Sequence, residues 1–184
     1  MPPFWTVYIT VADADASGDA VVAAGGSIVV PAMDVFEAGR MVVCQDPGGS
    51  FFSLWQPKES IGCEIVNEPG SFCWNELATT DLPAARAFYT QVFGWGVDPG
   101  VDASAAAFTL GGEMLCGSHT AGEGEFPAWS VWFSVADCEE SAAKVTKLGG
   151  SVYVAPNDMG FGIGAIVADP DGAVFGIAKL HAPA

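Results

Sequence analysis

Stretches of alternating apolar and polar residues recur along the chain, and several of them end at an aspartate that precedes a helical pattern. The first such stretch ends at Asp13. Its alternation predicts a half-buried strand, and the aspartate predicts the N-cap of a helix over Ala14–Ala24 that ends at the paired glycines Gly25 and Gly26. Three further strands are predicted at Ser27–Val30, Gly39–Cys44 and Ser50–Trp55. The pattern therefore predicts one unit with the order strand, helix and three strands.

This unit is repeated in the chain. Residues 5–34 align without a gap on residues 129–158, and twelve positions are identical. Between the two copies, residues 72–95 again combine a strand, an aspartate N-cap at Asp81 and a helical pattern. Three short strands are predicted after that helix, at Gly100–Asp102, Ala107–Leu110 and Met114–Ser118. Repetition at this period indicates a fold assembled from similar supersecondary units.

Three sets of motifs resemble those of one known superfamily. They are the strand-to-helix segment TTDLPAARAFYTQVFGW, the helix ends AGG and LGG, and the hairpins DPGGSFFSL and DPDGAVFGI. All are similar to motifs of the glyoxalase/bleomycin-resistance/extradiol-dioxygenase superfamily, also called the vicinal oxygen chelate fold. The segment WNELATTD followed by AFYTQVFGW resembles in particular an actinobacterial two-module branch. The resemblance implies an α+β fold in which repeated βαβββ units pair into curved mixed sheets. The paired sheets would form a cup that holds a substrate and usually a divalent metal.

The resemblance also implies a division of the chain. Residues 1–56 correspond to a single βαβββ unit, the second half of an incomplete N-terminal module, and residues 57–71 to a linker. Residues 72–184 correspond to a complete module of two units, 72–119 and 127–181. A first unit is therefore expected before Met1, so the sequence is a truncation, has a misassigned start, or completes its first module with another subunit. We expect a homodimer that completes the N-terminal module, because an unpaired unit would expose an apolar sheet face.

The positions at which the resemblance places metal ligands carry no usual metal donor. The family offsets fall on Thr6, Ser53, Trp74, Ser130 and Gly176. None is His, Glu or Asp, the residue types whose imidazole and carboxylate groups bind divalent metals. We therefore expect neither a metal nor another cofactor, and we assign His119 and His181 to the solvated surface.

The same alternation predicts which side chains line the cup. The expected ligand-binding residues are Thr6, Tyr8, Ser53, Trp74, Ser130 and Trp132. Glu76 is the one carboxylate among the residues expected to face the cup. It is either a general acid or base with a pKa raised by apolar walls, or a solvated carboxylate at the mouth of the cup. An aromatic lining with hydroxyl groups is typical of a site for a flat organic molecule.

Charge and composition exclude several partners and locations. The 184 residues include 22 acidic and 6 basic side chains, which gives a formal charge of −16. The basic residues are scattered, so the sequence predicts no binding to nucleic acid or to anionic membranes. It has no apolar run long enough to span a bilayer, and five widely spaced cysteines predict no disulfide framework. We expect a cytoplasmic protein.

Three functions remain open at this stage. The first is binding of a small, aromatic organic molecule in a metal-free cup, as in bleomycin-resistance proteins. The second is a metal-independent enzyme of the hydroxylase, isomerase or lyase type, in which Glu76 transfers protons. The third and least supported is a metal-dependent lyase or dioxygenase. The fold alone does not choose among them, because one scaffold can support several chemistries.

Overall fold

The computed structural model describes residues 3–100 and 104–181, and these residues form three similar βαβββ repeats. The first consists of β1 (Tyr8–Thr10), α1 (Ala14–Ala23), β2 (Ser27–Val35), β3 (Gly39–Gln45) and β4 (Phe51–Pro57). The middle repeat consists of β5 (Phe72–Thr79), α2 (Leu82–Phe93), β6 (Gly96–Asp98), β7 (Ala105–Leu110) and β8 (Glu113–Thr120). The last consists of β9 (Ala128–Ser134), α3 (Cys138–Lys147), β10 (Ser151–Asp158), β11 (Gly162–Ala168) and β12 (Val174–Leu180). The predicted α+β class is confirmed.

An aspartate caps the N-terminus of each helix, as the sequence predicts. The side chain of Asp13 accepts a hydrogen bond from the backbone N–H of Ala16, over 2.9 Å. Asp81 and Asp137 accept equivalent bonds, over 3.0 and 2.9 Å, from the third residue after each. Each bond satisfies a backbone N–H that has no partner inside the helix, so the three aspartates fix where the helices begin.

Two predicted strands differ from the structure. β2 extends to Val35, beyond the predicted end at Val30, because its pairing with β3 continues through two register shifts. Of the predicted strand Gly100–Asp102, the last two residues lie outside the described residues. Gly100 follows the end of β6, and its backbone N–H donates a hydrogen bond to Asp98 Oδ1 over 3.0 Å. The strand that pairs with β7 is instead β6, where Val97 is opposite Phe108.

The chain divides into two compact units. Unit 1 contains the described residues of Met1–Trp5, Cys63–Trp74 and Ser130–Ala184, and unit 2 contains Thr6–Gly62 and Asn75–Trp129. The division expected from the resemblance, 1–56, 57–71 and 72–184, follows the repeats along the chain and stays a prediction.

Unit 2 holds most of the first and middle repeats. Its strands are hydrogen-bonded in the orders β1-β4-β3-β2 and β5-β8-β7-β6. In both sets the first strand runs parallel to the last strand of its own repeat, whereas the remaining neighbours are antiparallel. Phe52 is fully buried and contacts the rings of Phe88, Tyr89 and Phe93 on α2. This aromatic cluster joins the two repeats inside unit 2.

Unit 1 holds most of the last repeat, with strand order β9-β12-β11-β10. The helix α3 covers one face through a small apolar core formed by Cys138, Ala142, Ala165, Val167 and Ile177. The ring of Trp5 packs edge-on against Phe133 and Phe175. No helix within residues 3–100 and 104–181 is long and apolar enough to cross a membrane.

Candidate functional site

The predicted site residues of the first repeat lie on β1 and β4, and on the residues just before β1. Val7 and Ile9 are buried, whereas Thr6 is half-buried and Tyr8 is 48% exposed. Tyr8 is the register partner of Ser53, which is buried. The ring of Tyr8 meets the ring of Trp55 at 89°, with 6.0 Å between centroids. The first repeat therefore presents a right-angled aromatic corner on the face opposite its helix.

The last repeat has a second aromatic corner, around Trp132 on β9. Trp132 is the register partner of Gly176, and a Cβ atom at residue 176 would overlap the indole ring. The ring of Phe161 meets the indole at 87°, with 5.9 Å between centroids, and the indole N–H donates a long hydrogen bond of 3.3 Å to the hydroxyl of Ser130. Trp132 is only 7% exposed, whereas Phe161 is 47% exposed. The exposed surface of this corner is thus supplied by Phe161.

The middle repeat brings together two titratable residues that the sequence places 43 positions apart. Glu76 on β5 and His119 on β8 lie on parallel neighbouring strands, and Glu76 Oε1 is 3.0 Å from His119 Nδ1. On the other side of the ring, His119 Nε2 is 3.1 Å from Glu125 Oε1. Trp74 is half-buried on β5. The predicted proton-transfer residue therefore has a histidine partner.

The assignment of His119 to the solvated surface is wrong. Its side chain is 32% exposed and lies between two carboxylates. The hydrogen bond to Glu76 is the largest cause that raises the pKa of His119 above its usual value, and partial burial opposes it. The alternation on β8 could have shown that His119 and Gly117 share a face, but it gives no information about Glu125. His181, with a side chain 57% exposed, is a surface residue as expected.

A buried hydrogen-bond chain lies elsewhere in unit 2. The hydroxyl of Tyr89 donates to Asp46 Oδ2 over 2.9 Å, and the indole N–H of Trp129 donates to that hydroxyl over 2.8 Å. Asp46 Oδ1 accepts from the backbone N–H of Ser50 over 2.8 Å. Burial raises the pKa of Asp46, and these hydrogen bonds act in the opposite direction. Asp46 forms its turn as the sequence predicts, and it also links the first repeat to α2.

The residues present do not fit the divalent metal that the resemblance implies. Among residues 3–100 and 104–181, no group of three or more His, Cys, Asp or Glu side chains is arranged to hold a metal ion. At the family position Gly176 the indole of Trp132 fills the space that a carboxylate would need. The positions Thr6, Ser53, Trp74 and Ser130 offer hydroxyl groups and an indole, which are poor ligands for such ions.

Comparisons with known proteins agree with this fold. A family model described as Glyoxalase/Bleomycin resistance protein/Dioxygenase superfamily matches residues 72–177. CFP32 of Mycobacterium tuberculosis (strain CDC 1551 / Oshkosh), a provisionally named glyoxylase, is 38% identical over 97% of this chain and 70% of its own length. The anthracycline biosynthesis protein DnrV of Streptomyces peucetius is 37% identical over 98% of this chain and 67% of its own length.

Two solved structures are similar in fold. The Mn(II)-bound glyoxalase from Novosphingobium aromaticivorans has a TM-score of 0.68 and 14% identity, over 94% of this chain and 61% of that protein. The 2,3-dioxygenase LapB from Pseudomonas sp. KL28 has a TM-score of 0.63 and 16% identity, over 96% of this chain and 72% of that protein. Together with the family match and the repeated βαβββ units, these similarities establish that the chain belongs to the glyoxalase/bleomycin resistance protein/dioxygenase superfamily.

Proposed function

We propose that this protein binds a flat aromatic organic molecule at the Trp132–Phe161 corner without the help of a divalent metal. The observation that carries the proposal concerns Gly176. This glycine stands where the family resemblance places a metal ligand, and the Trp132 indole lies over it. An aromatic surface takes the place that a metal-binding carboxylate would need, so the local chemistry favours contact with an apolar ring.

The geometry of this corner suits a flat molecule. Because the rings of Trp132 and Phe161 meet at 87°, a planar ligand that stacks on one ring lies perpendicular to the other and makes an edge-to-face contact with it. Both stacked and edge-to-face arrangements are favourable for aromatic pairs. The thioether of Met159 adds a soft, adaptable contact beside Gly164.

The relatives support the same class of ligand. DnrV and its counterpart DauV from Streptomyces sp. (strain C5), which is 37% identical to this chain, are both anthracycline biosynthesis proteins. Anthracyclines contain fused, flat ring systems. We therefore propose a polycyclic aromatic molecule as the ligand class.

Pyrene is a suitable probe, because it is flat and uncharged, and because it absorbs where tryptophan emits and so accepts energy from a nearby indole. We expect Phe161→Leu to weaken pyrene binding about tenfold through loss of aromatic contact. Trp132→Leu should weaken it similarly, because the largely buried indole supports the ring of Phe161. Phe161→Leu is the safer variant for folding, because Phe161 is exposed. Tyr153→Leu, an exposed aromatic residue on β10 of the same unit, serves as the matched control and should bind pyrene normally.

The variants also show where binding occurs. Loss of pyrene binding in Tyr8→Leu, with normal binding in the two corner variants, would move the site to the first repeat and contradict the proposal. Equal pyrene binding by all four variants would show that pyrene adsorbs non-specifically, and this would also contradict the proposal.

A second candidate function is metal-independent proton transfer by Glu76. It is favoured by one observation, the 3.0 Å contact between Glu76 and His119, because carboxylate and imidazole groups are the usual general acids and bases. The variant Glu76→Gln separates the two candidates. An enzyme should lose turnover of its bound ligand, whereas a binding protein should keep its function.

A further inference from the structure

His119 occupies a position between two carboxylates of unequal accessibility. Glu76 Oε1 lies 3.0 Å from Nδ1 of its ring, and Glu125 Oε1 lies 3.1 Å from Nε2. The Glu76 side chain is 23% exposed, whereas that of Glu125 is 40% exposed. The two nitrogens therefore have one partner fixed on a strand and one partner that solvent reaches more easily.

Glu76 reaches His119 because the facing residue has no side chain. Glu76 is the register partner of Gly117, and a Cβ atom at residue 117 would overlap Oε2 of Glu76. Ala78 is the register partner of His119, so the glutamate and the histidine are offset by two residues on parallel strands. The contact is thus built into the register of β5 and β8.

Glu125 is held differently. It lies in the segment between β8 and β9, and its Oε2 accepts a hydrogen bond of 2.8 Å from the backbone N–H of Gly122, three residues away. Its contact with His119 joins residues only six positions apart. A change in the course of this short segment would release Nε2 of His119 without disturbing β5 or β8.

The charges around His119 are consistent with a fixed role for Glu76 and an exchangeable role for Glu125. With both ring nitrogens facing carboxylates, the imidazole is stabilised in its protonated form, in which both nitrogens donate. The titratable groups that contact its ring nitrogens are Glu76 and Glu125, and both raise the pKa of the imidazole. An incoming anion that replaced Glu125 would exchange one negative charge for another, so the charge balance around the ring would be kept.

We propose that His119 Nε2 is a binding site for the oxyanion of an organic hydroxyl compound, a phenolate or an enolate, which takes the place of Glu125 while Glu76 holds Nδ1. Glu76 is then a positioning residue, Gly117 makes room for it, and Glu125 occupies the site when no ligand is bound. This inference goes beyond the aromatic corner of unit 1 and does not depend on binding there. It gives Glu76 a positioning role in place of the direct proton transfer of the second candidate function.

The test uses two probes of nearly equal shape, 4-nitrophenol and 4-nitroanisole. Only the first ionises, and its absorbance reports the ionised fraction directly. We expect the full chain at pH 8 to bind 4-nitrophenol about ten times more tightly than 4-nitroanisole, because a hydrogen bond between charged groups raises the affinity by about this factor. Nitrogen NMR of labelled histidines locates the contact, and the variant His181→Gln identifies the His119 signals.

The variants give effects of opposite sign. His119→Gln should abolish the preference for 4-nitrophenol, and Glu125→Gln should strengthen 4-nitrophenol binding severalfold, because a charged competitor is removed. Gly117→Ala should weaken it by displacing the flexible end of Glu76. Its matched control is Gly18→Ala, in α1 of the same unit, where the added methyl group makes ordinary contacts of 3.4 Å or more; this variant should keep the preference.

Three results would overturn the proposal. One is equal binding of the two probes by the unmodified protein. Another is a preference that survives in folded His119→Gln. The third is a loss of 4-nitrophenol binding in Glu125→Gln as large as that in His119→Gln. Pyrene binding is measured on the same samples, so failure of this site and failure of the aromatic corner are read independently.

Discussion

Trp5 and Trp129 begin the two most similar repeats, and their indole rings lie in different surroundings. Trp129 is 7% exposed and donates a hydrogen bond to Tyr89 in unit 2. Trp5 is 42% exposed and packs on Phe133 and Phe175 in unit 1. The same residue at the same place in a repeat is thus part of a core in one case and half-exposed in the other. Local sequence determines the element, and the neighbouring elements determine the burial.

The side chains that face each other across the first and last strands also differ from repeat to repeat. In the last repeat a large ring, Trp132, lies over Gly176, whereas in the first repeat Tyr8 is opposite Ser53 and contacts Trp55 instead. The middle repeat follows the pattern of the last, with Glu76 over Gly117. Glycine on the last strand therefore goes together with a long side chain lying across it, and the identity of that side chain gives each repeat its own chemistry.

The equivalent turns provide the largest expected difference. Asp46 is buried and bonds to Tyr89. Asp169 is half-buried, and within the described part of the chain its side chain accepts only from the backbone N–H groups of Asp171 and Ala173. We expect Asp46→Ala to lower the free energy of unfolding by about 3 kcal/mol, because it leaves buried donors without a partner. Asp169→Ala should cost about 1 kcal/mol, the usual value of a turn-stabilising side chain. Urea denaturation of both variants measures the two values.

Tyr89→Phe is the control for this comparison. It removes the same hydrogen bond from the other side while keeping the ring, and should cost about 2 kcal/mol. Equal losses in the two aspartate variants would show that the buried chain contributes nothing beyond the turn.

The second comparison concerns Gly176 and Ser53. Gly176→Ala forces the indole of Trp132 to move, and overpacking of this kind costs about 2 kcal/mol. Ser53→Ala should leave stability unchanged or raise it slightly, since the buried Ser53 hydroxyl has no hydrogen-bond partner among the described residues. Thermal unfolding of the two variants checks the signs, and a stabilised Gly176→Ala would contradict the packing of the last repeat.

The smallest effect concerns His119, whose equivalent position in the last repeat is Ala178. The pKa of His119 is raised in the folded protein, so the protonated ring stabilises the fold below about pH 6.5, and this contribution is lost as the pH rises through the folded-state pKa. Because the side chain is partly exposed, the contribution is about 0.5–1 kcal/mol. The difference in unfolding free energy between the unmodified protein and His119→Gln should therefore be larger at pH 6 than at pH 9. A difference that grows with pH would contradict the contact with Glu76.

The sequence alone is sufficient to predict the three repeats, their helix caps and their turns. Alternation, aspartate caps and turn residues predict the βαβββ units, since these depend on neighbours within a few positions. The Asp46–Tyr89 and Glu76–His119 contacts each join residues 43 positions apart, so they depend on packing and strand register that no local pattern specifies. The homodimer through residues 1–56 and the cytoplasmic location stay predictions, and light scattering would test the first.

The central claim is that this member of the superfamily binds an aromatic ligand without a divalent metal. The most direct measurement is pyrene binding by protein of known metal content, before and after treatment with a chelator and after addition of Mn(II). We predict well under one equivalent of divalent metal per chain and a dissociation constant that neither treatment changes by more than about twofold. One tightly held equivalent of metal, together with loss of pyrene binding on chelation and recovery with Mn(II), would contradict the account.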